Sequence, residues 1–469
     1  MLMLVFATLA QSATPPVQMS APPPTSTVTR DGSTWRVEYH LNRKSPAWLF
    51  PVSQPLRADH KPWREGAWRV ETPGVRIERH GGYDVLVPTQ GVSVPSTVRI
   101  TFTPTSATLD REYDPAVSFS NGATALYSDQ FDVIPMDDVS LVDRKEVGLS
   151  VEDFGGVHTA TRFRDAGGPV FAQGQRQSDP ILTGGETYVV FASSKIETRG
   201  GVAMLADPAL PDWLKVDVAA YAPQVERTYA THLGSRADPR LPLLLMGWRG
   251  PTPGKVINDG GVRPGQILFN FEGEGLLERN ERAARRTRWF IAHEMAHFWL
   301  GTSGIASREP SEAWITEGGA EMMAFTLLAA TDHDYALAEL QRAVQDCLKT
   351  AAKPIAGAAE RHESRAFYAC GTTFALAAAS AERRKGGRDY FDFIRPLMEE
   401  HRADRLLGRA DWLTYFAALA GPGRAVEVMT AMLDTGVAEP AEAIETIFKQ
   451  TGVPYTRNGN DLTLAVTAI

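Results

Sequence analysis

Two histidines and a glutamate have the spacing of a metal site. His293, Glu294 and His297 form the pattern His-Glu-x-x-His, and no proline or glycine occurs between Leu276 and Leu300, which favours a helix. Residues four apart on a helix lie one above the other, so both imidazoles can bind one ion. Neutral imidazole suits zinc, and Glu294, about 100° around the helix, can take a proton from an attacking water. The alternative, two incidental histidines, would bury polar groups at a cost.

A catalytic zinc needs a third protein ligand, and an acidic segment downstream offers one. Pro310 and Ser311 are typical of a helix start. Glu317 then lies two turns into the helix, and Glu321 lies one turn further on the same face. We predict that Glu317 is the third ligand and that Glu321 orients a ligating histidine. The alternative is that both are solvated helix acids.

The first part of the chain, residues 25–206, has the period of β-strands. Polar and apolar residues alternate between turns rich in Gly, Pro and Asp, which predicts an antiparallel β-sandwich. We expect strands at Trp35–Tyr39, Tyr83–Val87, Val98–Phe102 and Thr187–Phe191. No acids, histidines or cysteines cluster here at a chemical spacing. The scattered His40, His60, His80 and His158 are expected to lie at the surface or to be hydrogen-bonded, rather than to bind metal.

The remaining chain has a segment with mixed helix and strand patterns and then a helical segment, so we predict a multidomain α+β protein. Residues 207–330 combine a helix at Pro211–Leu233 with strands at Leu241–Trp248 and Gln266–Phe271. Residues 331–469 are helical, and a short hairpin is expected around Asn458-Gly459-Asn460. A chain of 469 residues is long enough for about three domains. The predicted domains are therefore residues 25–206, 207–330 and 331–469, after a leader at 1–24.

Charge and the leader limit the partners and the compartment. The chain has 48 Lys and Arg against 56 Asp and Glu, a net charge of -8, which argues against nucleic acid and anionic membranes as partners. Leu2 to Ala10 is apolar but too short to span a bilayer, and a Pro-rich spacer follows. We predict a cleaved signal peptide, an exported periplasmic or secreted protein, and no membrane span in the mature chain. Because no Lys or Arg precedes Arg30, a disordered leader or a start codon placed too late is the alternative.

Two segments of the chain resemble a known family. The chain is similar here to the gluzincin zinc metallopeptidases of the aminopeptidase N and leukotriene hydrolase type. The resemblance lies in the segment His-Glu-Met-Ala-His-Phe-Trp-Leu-Gly and in the later segment Trp-Ile-Thr-Glu-Gly-Gly-Ala. Nineteen residues, Phe298 to Thr316, separate His297 from Glu317, one more than is usual in the family. The resemblance implies one zinc ion per chain and a peptide substrate. It also implies a β-domain, a thermolysin-like catalytic domain in residues 207–330 and an all-helical domain.

The same resemblance implies a catalytic tyrosine and the removal of N-terminal residues. Phe367-Tyr368-Ala369-Cys370-Gly371 has the family's Tyr-x-x-Gly pattern, so Tyr368 is expected to donate a hydrogen bond to the oxyanion. The family's Gly-x-Met-Glu-Asn pattern, whose glutamate binds the substrate amine, is not matched. We expect an edge strand within residues 265–275, where Glu272 or Glu274 is a candidate for that amine. Simple loop acids are the alternative, and internal cleavage stays open.

Two cysteines are too few for a disulfide scaffold. In an exported protein Cys347 and Cys370 can pair and tie the helix of Tyr368 to its neighbour, while two buried free thiols are the alternative. The predicted function is zinc-dependent peptide hydrolysis with Glu294 as the general base. From another class, the alternative is a binding protein that keeps zinc without catalysis, against which the intact Glu294 argues.

Overall fold

A computed structural model describes residues 22–144, 148–191, 196–301 and 303–469. Most of the predicted leader lies outside these ranges. The described part of residues 25–191 forms mainly strands, with one short α-helix, α1 (Trp63–Ala67), and two 3-10 turns at Ser128–Phe131 and Val139–Arg144. In chain order the strands are β1 (Thr25–Asp31), β2 (Thr34–His40), β3 (Ala47–Phe50), β4 (Trp68–Val70), β5 (Val75–His80), β6 (Tyr83–Pro88), β7 (Thr97–Phe102), β8 (Ala116–Ser118), β9 (Thr124–Tyr127), β10 (Ile134–Met136), β11 (Ala160–Asp165), β12 (Val170–Ala172), β13 (Gln175–Gln177), β14 (Ile181–Thr183) and β15 (Tyr188–Phe191).

These strands form three sheets rather than the two of a simple sandwich. Their orders are β14-β11-β1-β2-β7-β4, β10-β3-β6-β5 and β13-β12-β15-β9-β8. All four strands predicted in this part are present. The prediction of purely antiparallel pairing is wrong in one place, because β1 pairs with β11 in parallel, Thr25 opposite Ala160. A parallel pair joins strands distant in the chain, so alternation within each strand cannot reveal it.

One charged cluster lies inside this β-part, where the sequence indicated none. Nδ1 of His158 lies 2.7 Å from Asp132 Oδ2, and its Nε2 lies 2.8 Å from Glu152 Oε1. Asp129 lies close to both Asp132 and His158. The hydrogen bond to Asp132 outweighs burial and raises the pKa of His158 to about 9. The expectation that His158 is hydrogen-bonded is confirmed, and its imidazolium links two acids that are distant in the sequence.

A fourth sheet carries the chain into the second part. Its strands are β16 (Glu197–Arg199), β17 (Val202–Ala206), β18 (Leu243–Trp248), β19 (Ile257–Arg263) and β20 (Gln266–Glu272), in the order β16-β17-β18-β20-β19. Strands β17, β18 and β20 are parallel, and β19 runs antiparallel at the edge. Because β16 and β17 pair within this sheet, it begins ahead of the boundary predicted at residue 206. Alternation alone does not show which sheet a strand joins.

This sheet is buried on both faces, which explains its apolar runs. Leu244, Met246 and Phe269 face the helices, whereas Leu243 and Leu245 pack with the β-part. The helical side forms one hydrophobic core that extends from Val202 to Ala468. That core passes without a break across the boundary predicted at residue 330, so the second and third parts share their interior.

Nine longer helices complete the described chain. They are α2 (Asp212–Leu233), α3 (Glu281–Ala296), α4 (Ala313–Ala329), α5 (His333–Thr350), α6 (Arg365–Arg384), α7 (Tyr390–Glu400), α8 (Arg409–Ala420), α9 (Ala425–Asp434) and α10 (Pro440–Thr451). Two short parallel strands, β21 (Ala306–Ser307) and β22 (Leu406–Leu407), link the loop after α3 to the segment before α8, and β23 (Tyr455–Asn458) with β24 (Asp461–Leu464) forms the predicted hairpin. No helix in the described ranges is both long and apolar enough to cross a membrane.

Helix α6 is the central helix of this part and is tied covalently to α5. It packs against α4, α5, α7 and α8. Cys347 on α5 and Cys370 on α6 form a disulfide. Of the two alternatives that the sequence left open, the structure therefore has the paired one, and the bond fixes the helix that carries Tyr368.

The ion pairs of His158 predict a pH-dependent contribution to stability. The folded-state pKa of about 9 exceeds the usual histidine value of about 6.5. The stabilisation is therefore complete below pH 6.5 and is lost as pH rises through 9. We expect His158→Gln to lower the free energy of unfolding by about 1.5–3 kcal/mol at pH 7, and the loss to shrink by pH 10. Urea unfolding across this pH range measures it, with exposed His40→Gln as the control. A loss that stays constant from pH 7 to 10 would contradict the assignment.

Candidate metal centre and active site

Helix α3 carries two histidines into the core. Asn280 begins the helix, because its side chain accepts a hydrogen bond from the backbone N–H of Ala283 at 2.8 Å. One turn apart near the other end, His293 and His297 are 3% and 5% exposed. Their Nε2 atoms lie 3.3 Å apart. Two imidazole nitrogens at this distance point at one shared position, as the i, i+4 spacing predicts.

Helix α4 adds the third ligand group. Oε2 of Glu317 lies 3.5 Å from Nε2 of His293 and 3.4 Å from Nε2 of His297. This oxygen is buried and has no hydrogen-bond partner in the structure. A tetrahedral ion with ligands at about 2.0–2.1 Å separates neighbouring ligand atoms by about 3.3–3.4 Å. The three observed separations therefore match a zinc ion in size, and the two imidazoles with one carboxylate match it in chemistry.

The three side chains influence one another's protonation. Burial favours the neutral form of Glu317, but the charges of His297 and His293, whose Nε2 atoms face its carboxylate, outweigh burial and lower the pKa of Glu317 well below its usual value. Burial opposes protonation of His297, but Glu317 raises the pKa of His297 to about 9. The cluster thus concentrates negative charge on Glu317 and attracts positive charge to the point between the rings.

Glu294 lies beside this triad, against the edge strand. Its side chain is buried, and burial raises its pKa although both neighbouring histidines act to lower it. The backbone of Val262 on β19 interacts with the same carboxylate. Towards the other end of β19, Asn258 Nδ2 donates a hydrogen bond to Thr287 Oγ1 on α3. The strand and the helix therefore run side by side and hold Glu294 next to the metal position.

Tyr368 reaches the site from α6. Its ring stacks on that of His293 with the centroids 5.8 Å apart, and it interacts with the Glu317 carboxylate. Helices α4 and α6 touch through their backbones: a Cβ on Gly318 would lie 2.2 Å from the carbonyl carbon of Gly371. The glycine of the Tyr-x-x-Gly pattern is therefore needed for this close contact, which brings Tyr368 to Glu317.

Glu321 lies behind His293. Its Oε2 is 4.0 Å from His293 Nδ1, which is beyond hydrogen-bond distance, and it accepts a hydrogen bond from Trp289 Nε1 at 2.8 Å. Arg365 forms an ion pair with Oε1 of Glu321 at 3.6 Å. The role predicted for Glu321 thus stays a prediction. Trp289 and Arg365 were missed because neither belongs to a recognisable motif.

The edge strand is not the one that the sequence indicated. Strand β20 pairs on both sides, so the prediction of an edge within residues 265–275 is wrong, and β19 forms the edge beside α3. The sequence Asn-Asp-Gly-Gly-Val-Arg in β19 has low strand propensity, whereas Gln-Ile-Leu-Phe in β20 has high propensity. Strand propensity therefore favoured the interior strand β20. The Gly260-Gly261 pair was the one feature of the sequence that could have indicated β19 as the edge strand.

The structure does not bring Glu272 and Glu274 to the metal centre. Glu272 lies opposite Ile257 of β19. Ile257 is five residues before Val262, a distance of about 17 Å along a strand. Its carboxylate forms an ion pair with Lys255 at 2.9 Å and accepts a hydrogen bond from Thr252 at 2.7 Å. Glu274 follows in a short turn beyond that far end.

An arginine lies at the zinc end of the edge strand instead. When the family's Gly-x-Met-Glu-Asn pattern is aligned on Gly260, Arg263 takes the position of the glutamate. Its guanidinium lies 3.4 Å from the centre of the Tyr113 ring and forms ion pairs with Glu186 and Glu112.

Comparisons with known proteins agree with the fold. An aminopeptidase N family protein from Idiomarina loihiensis superposes with a TM-score of 0.57 at 11% identity, over 90% of this chain and 78% of that one. The chain has an M1-like peptidase fold. An M1 zinc metallopeptidase from Deinococcus radiodurans aligns over 91% of this chain and 92% of that one, at 14% identity and a TM-score of 0.42. No protein-family model and no curated protein sequence matches the chain.

The glycine contact in this M1-like fold generates a prediction. A Cβ on Gly371 would lie 2.2 Å from the carbonyl oxygen of Trp314 and 2.9 Å from Cα of Gly318. We expect Gly371→Ala to push α4 and α6 apart, to lower the free energy of unfolding by about 1–3 kcal/mol and to separate Tyr368 from Glu317. Denaturant unfolding measures the change in the free energy of unfolding. Gly66→Ala is the control, because nothing lies near its Cβ position. Equal stability of the Gly371→Ala protein and the wild type would show that the contact is loose.

Proposed function

We propose that the protein is an exported zinc metallopeptidase that hydrolyses peptide bonds. The observation that carries the proposal is the triangle of ligand atoms from His293, His297 and Glu317, whose 3.3–3.5 Å edges fit one zinc ion per chain. A structural zinc site has four protein ligands, whereas these three leave one position open for water and substrate. Glu294 and Tyr368 border that position, and this supports a catalytic site over a non-catalytic zinc-binding protein.

Each side chain around the open position has a distinct task. Zinc, when bound, polarises the substrate carbonyl and makes water more acidic. Glu294 accepts the proton of the attacking water and then delivers it to the leaving amine. Burial, which raises its pKa, favours the protonated form that delivers the proton. Tyr368 keeps its proton, since burial and the nearby Glu317 charge raise its pKa, and it donates a hydrogen bond to the developing oxyanion.

Removal of N-terminal residues is the form of this activity that the resemblance implies. That reaction requires a carboxylate for the substrate amine near the zinc end of the edge strand. Glu112 and Glu186 lie at this end, and both pair with Arg263. Internal cleavage is the second candidate, and Arg263 favours it, because its ion pairs engage both acids and internal cleavage needs no amine site.

Export is supported by the disulfide and by the leader. Disulfides such as Cys347–Cys370 persist in oxidising compartments and are rare in the cytosol. The apolar run from Leu2 to Ala10 and the small residues after it fit a signal peptide.

The general-base role predicts the behaviour of Glu294→Gln. We expect this variant to bind one zinc per chain and to lose about 10²–10⁴-fold in peptidase activity, because amide cannot accept the proton of water. Zinc content is measured by atomic emission, and activity by mass spectrometry of a digested peptide library. Glu399→Gln, a change of an exposed acid on α7, is the matched control. Full activity of Glu294→Gln would remove Glu294 as the base, and silence of both the wild type and Glu294→Gln would favour the non-catalytic alternative.

The same library decides between the two forms of cleavage when half of its peptides are N-acetylated. Loss of single residues from free N-termini only would establish an aminopeptidase and an amine site near Glu112 or Glu186. Cuts inside acetylated peptides, abolished in Glu294→Gln, would establish an endopeptidase.

A further inference from the structure

A basic cavity opens beside the metal centre. It has a volume of 280 Å³ and lies between α3, α4, α5 and α6. Its charged lining consists of four arginines, Arg282, Arg286, Arg342 and Arg365, against Glu321 and Glu339. This excess of positive charge is local, because the whole chain has a net charge of -8.

The cavity shares a wall with the candidate active site. The Trp289 ring lines the cavity, and its centroid lies 5.8 Å from that of the metal-binding His293. Glu321 also lines it and lies 4.0 Å from His293 Nδ1. On the far side, Arg365 begins α6 one turn before Tyr368, so both residues are on the same face of that helix. A group in the cavity is therefore one side chain away from the metal position.

Two of the four arginines have free guanidinium groups. On α3, Arg285 forms an ion pair with Asp332 and Arg288 forms one with Asp217. Arg282 and Arg286 form no hydrogen bond or ion pair with any residue in the described ranges. Both arginines are solvent-exposed and also line the cavity, so their guanidinium groups are accessible to a ligand there.

The free arginines follow the helix stripe that ends at the metal. Arg282, Arg286, Trp289 and His293 are spaced i, i+4, i+7 and i+11, which places them on one face of α3. Arg286 precedes His293 by seven residues, a rise of about 10 Å along the helix axis. An extended peptide covers about 3.3–3.6 Å per residue. A substrate that follows this stripe from the metal covers this rise in about three residues, and the length of the arginine side chain brings its guanidinium within reach of the second or the third.

We propose that this cavity binds the carboxylate of an acidic peptide substrate, two or three residues from the bond that is cut. The inference rests on the proposed peptidase function and specifies its substrate class. Guanidinium groups bind carboxylates through paired N–H···O contacts, which favours arginine at such a site. Arg282 and Arg286 supply this binding, because Arg342 and Arg365 already pair with Glu339 and Glu321.

The first experiment maps cut sites in a peptide library in which Glu and Gln vary at every position. For the wild type we expect Asp or Glu to be enriched two or three residues from the cut, with kcat/KM about tenfold above that of the Gln counterpart. The double variant Arg282→Gln/Arg286→Gln should lose this preference through KM. The control is Arg227→Gln/Arg395→Gln, which removes the same charge from two exposed helix positions elsewhere. A wild type without the preference, or a double variant that keeps it, would overturn the proposal.

A binding measurement separates this proposal from the proposed function. The Glu294→Gln protein is titrated with a fluorescein-labelled peptide that carries two adjacent glutamates, and with its glutamine counterpart, while anisotropy is recorded. Tighter binding of the glutamate peptide, lost when Arg282→Gln and Arg286→Gln are added, would support the cavity proposal. This holds even if the wild type cuts no peptide, a result that would contradict only the proposed peptidase function. Equal binding of both peptides overturns the cavity proposal even if the wild type is an active peptidase.

Discussion

The burial of opposite charges around one point is the constraint on which this structure depends. The two histidines, Glu294 and Glu321 are buried and Glu317 is partly buried, against a large hydrophobic core. Burying polar and charged groups costs free energy unless partners compensate for lost water. The histidine rings and Glu317 compensate one another only in part, since Glu317 Oε2 and His293 Nδ1 have no hydrogen-bond partner in the structure. A cation between the three ligand atoms supplies the missing partner for Glu317.

The surrounding helices are packed to hold this cluster in place. Gly318 directly follows the ligand Glu317, and its contact with Gly371 sets the distance between α4 and α6. The disulfide joins α6 to α5, and the edge strand β19 holds Glu294 from the opposite side. Residues from four elements that are distant in the sequence therefore meet at one position. Such precise placement is what catalysis by positioned acids and bases requires.

The local part of this arrangement could be predicted from the sequence, and the non-local part could not. His293 and His297 follow from helix periodicity, because spacing within a helix fixes which side chains share a face. Glu317 follows from the need of a catalytic zinc for a third ligand and from the acidic helix downstream. The Tyr-x-x-Gly resemblance likewise led to Tyr368. The edge strand was misplaced because strand order depends on pairing between distant segments, which propensity does not record. For the same reason the sequence did not show that β16 and β17 join the sheet of β18, or that Asp132 meets His158. Arg263 became visible only when the true edge strand was known.

We propose that one zinc ion binds at the point between the three ligand atoms. The most direct measurement is anomalous diffraction at the zinc absorption edge from crystals of the zinc-loaded protein. We expect a single anomalous peak per chain, about 2.0–2.2 Å from Nε2 of His293, Nε2 of His297 and an oxygen of Glu317. A zinc-loaded crystal with no peak at this point, or with its zinc at another set of ligands, would rule out this metal site.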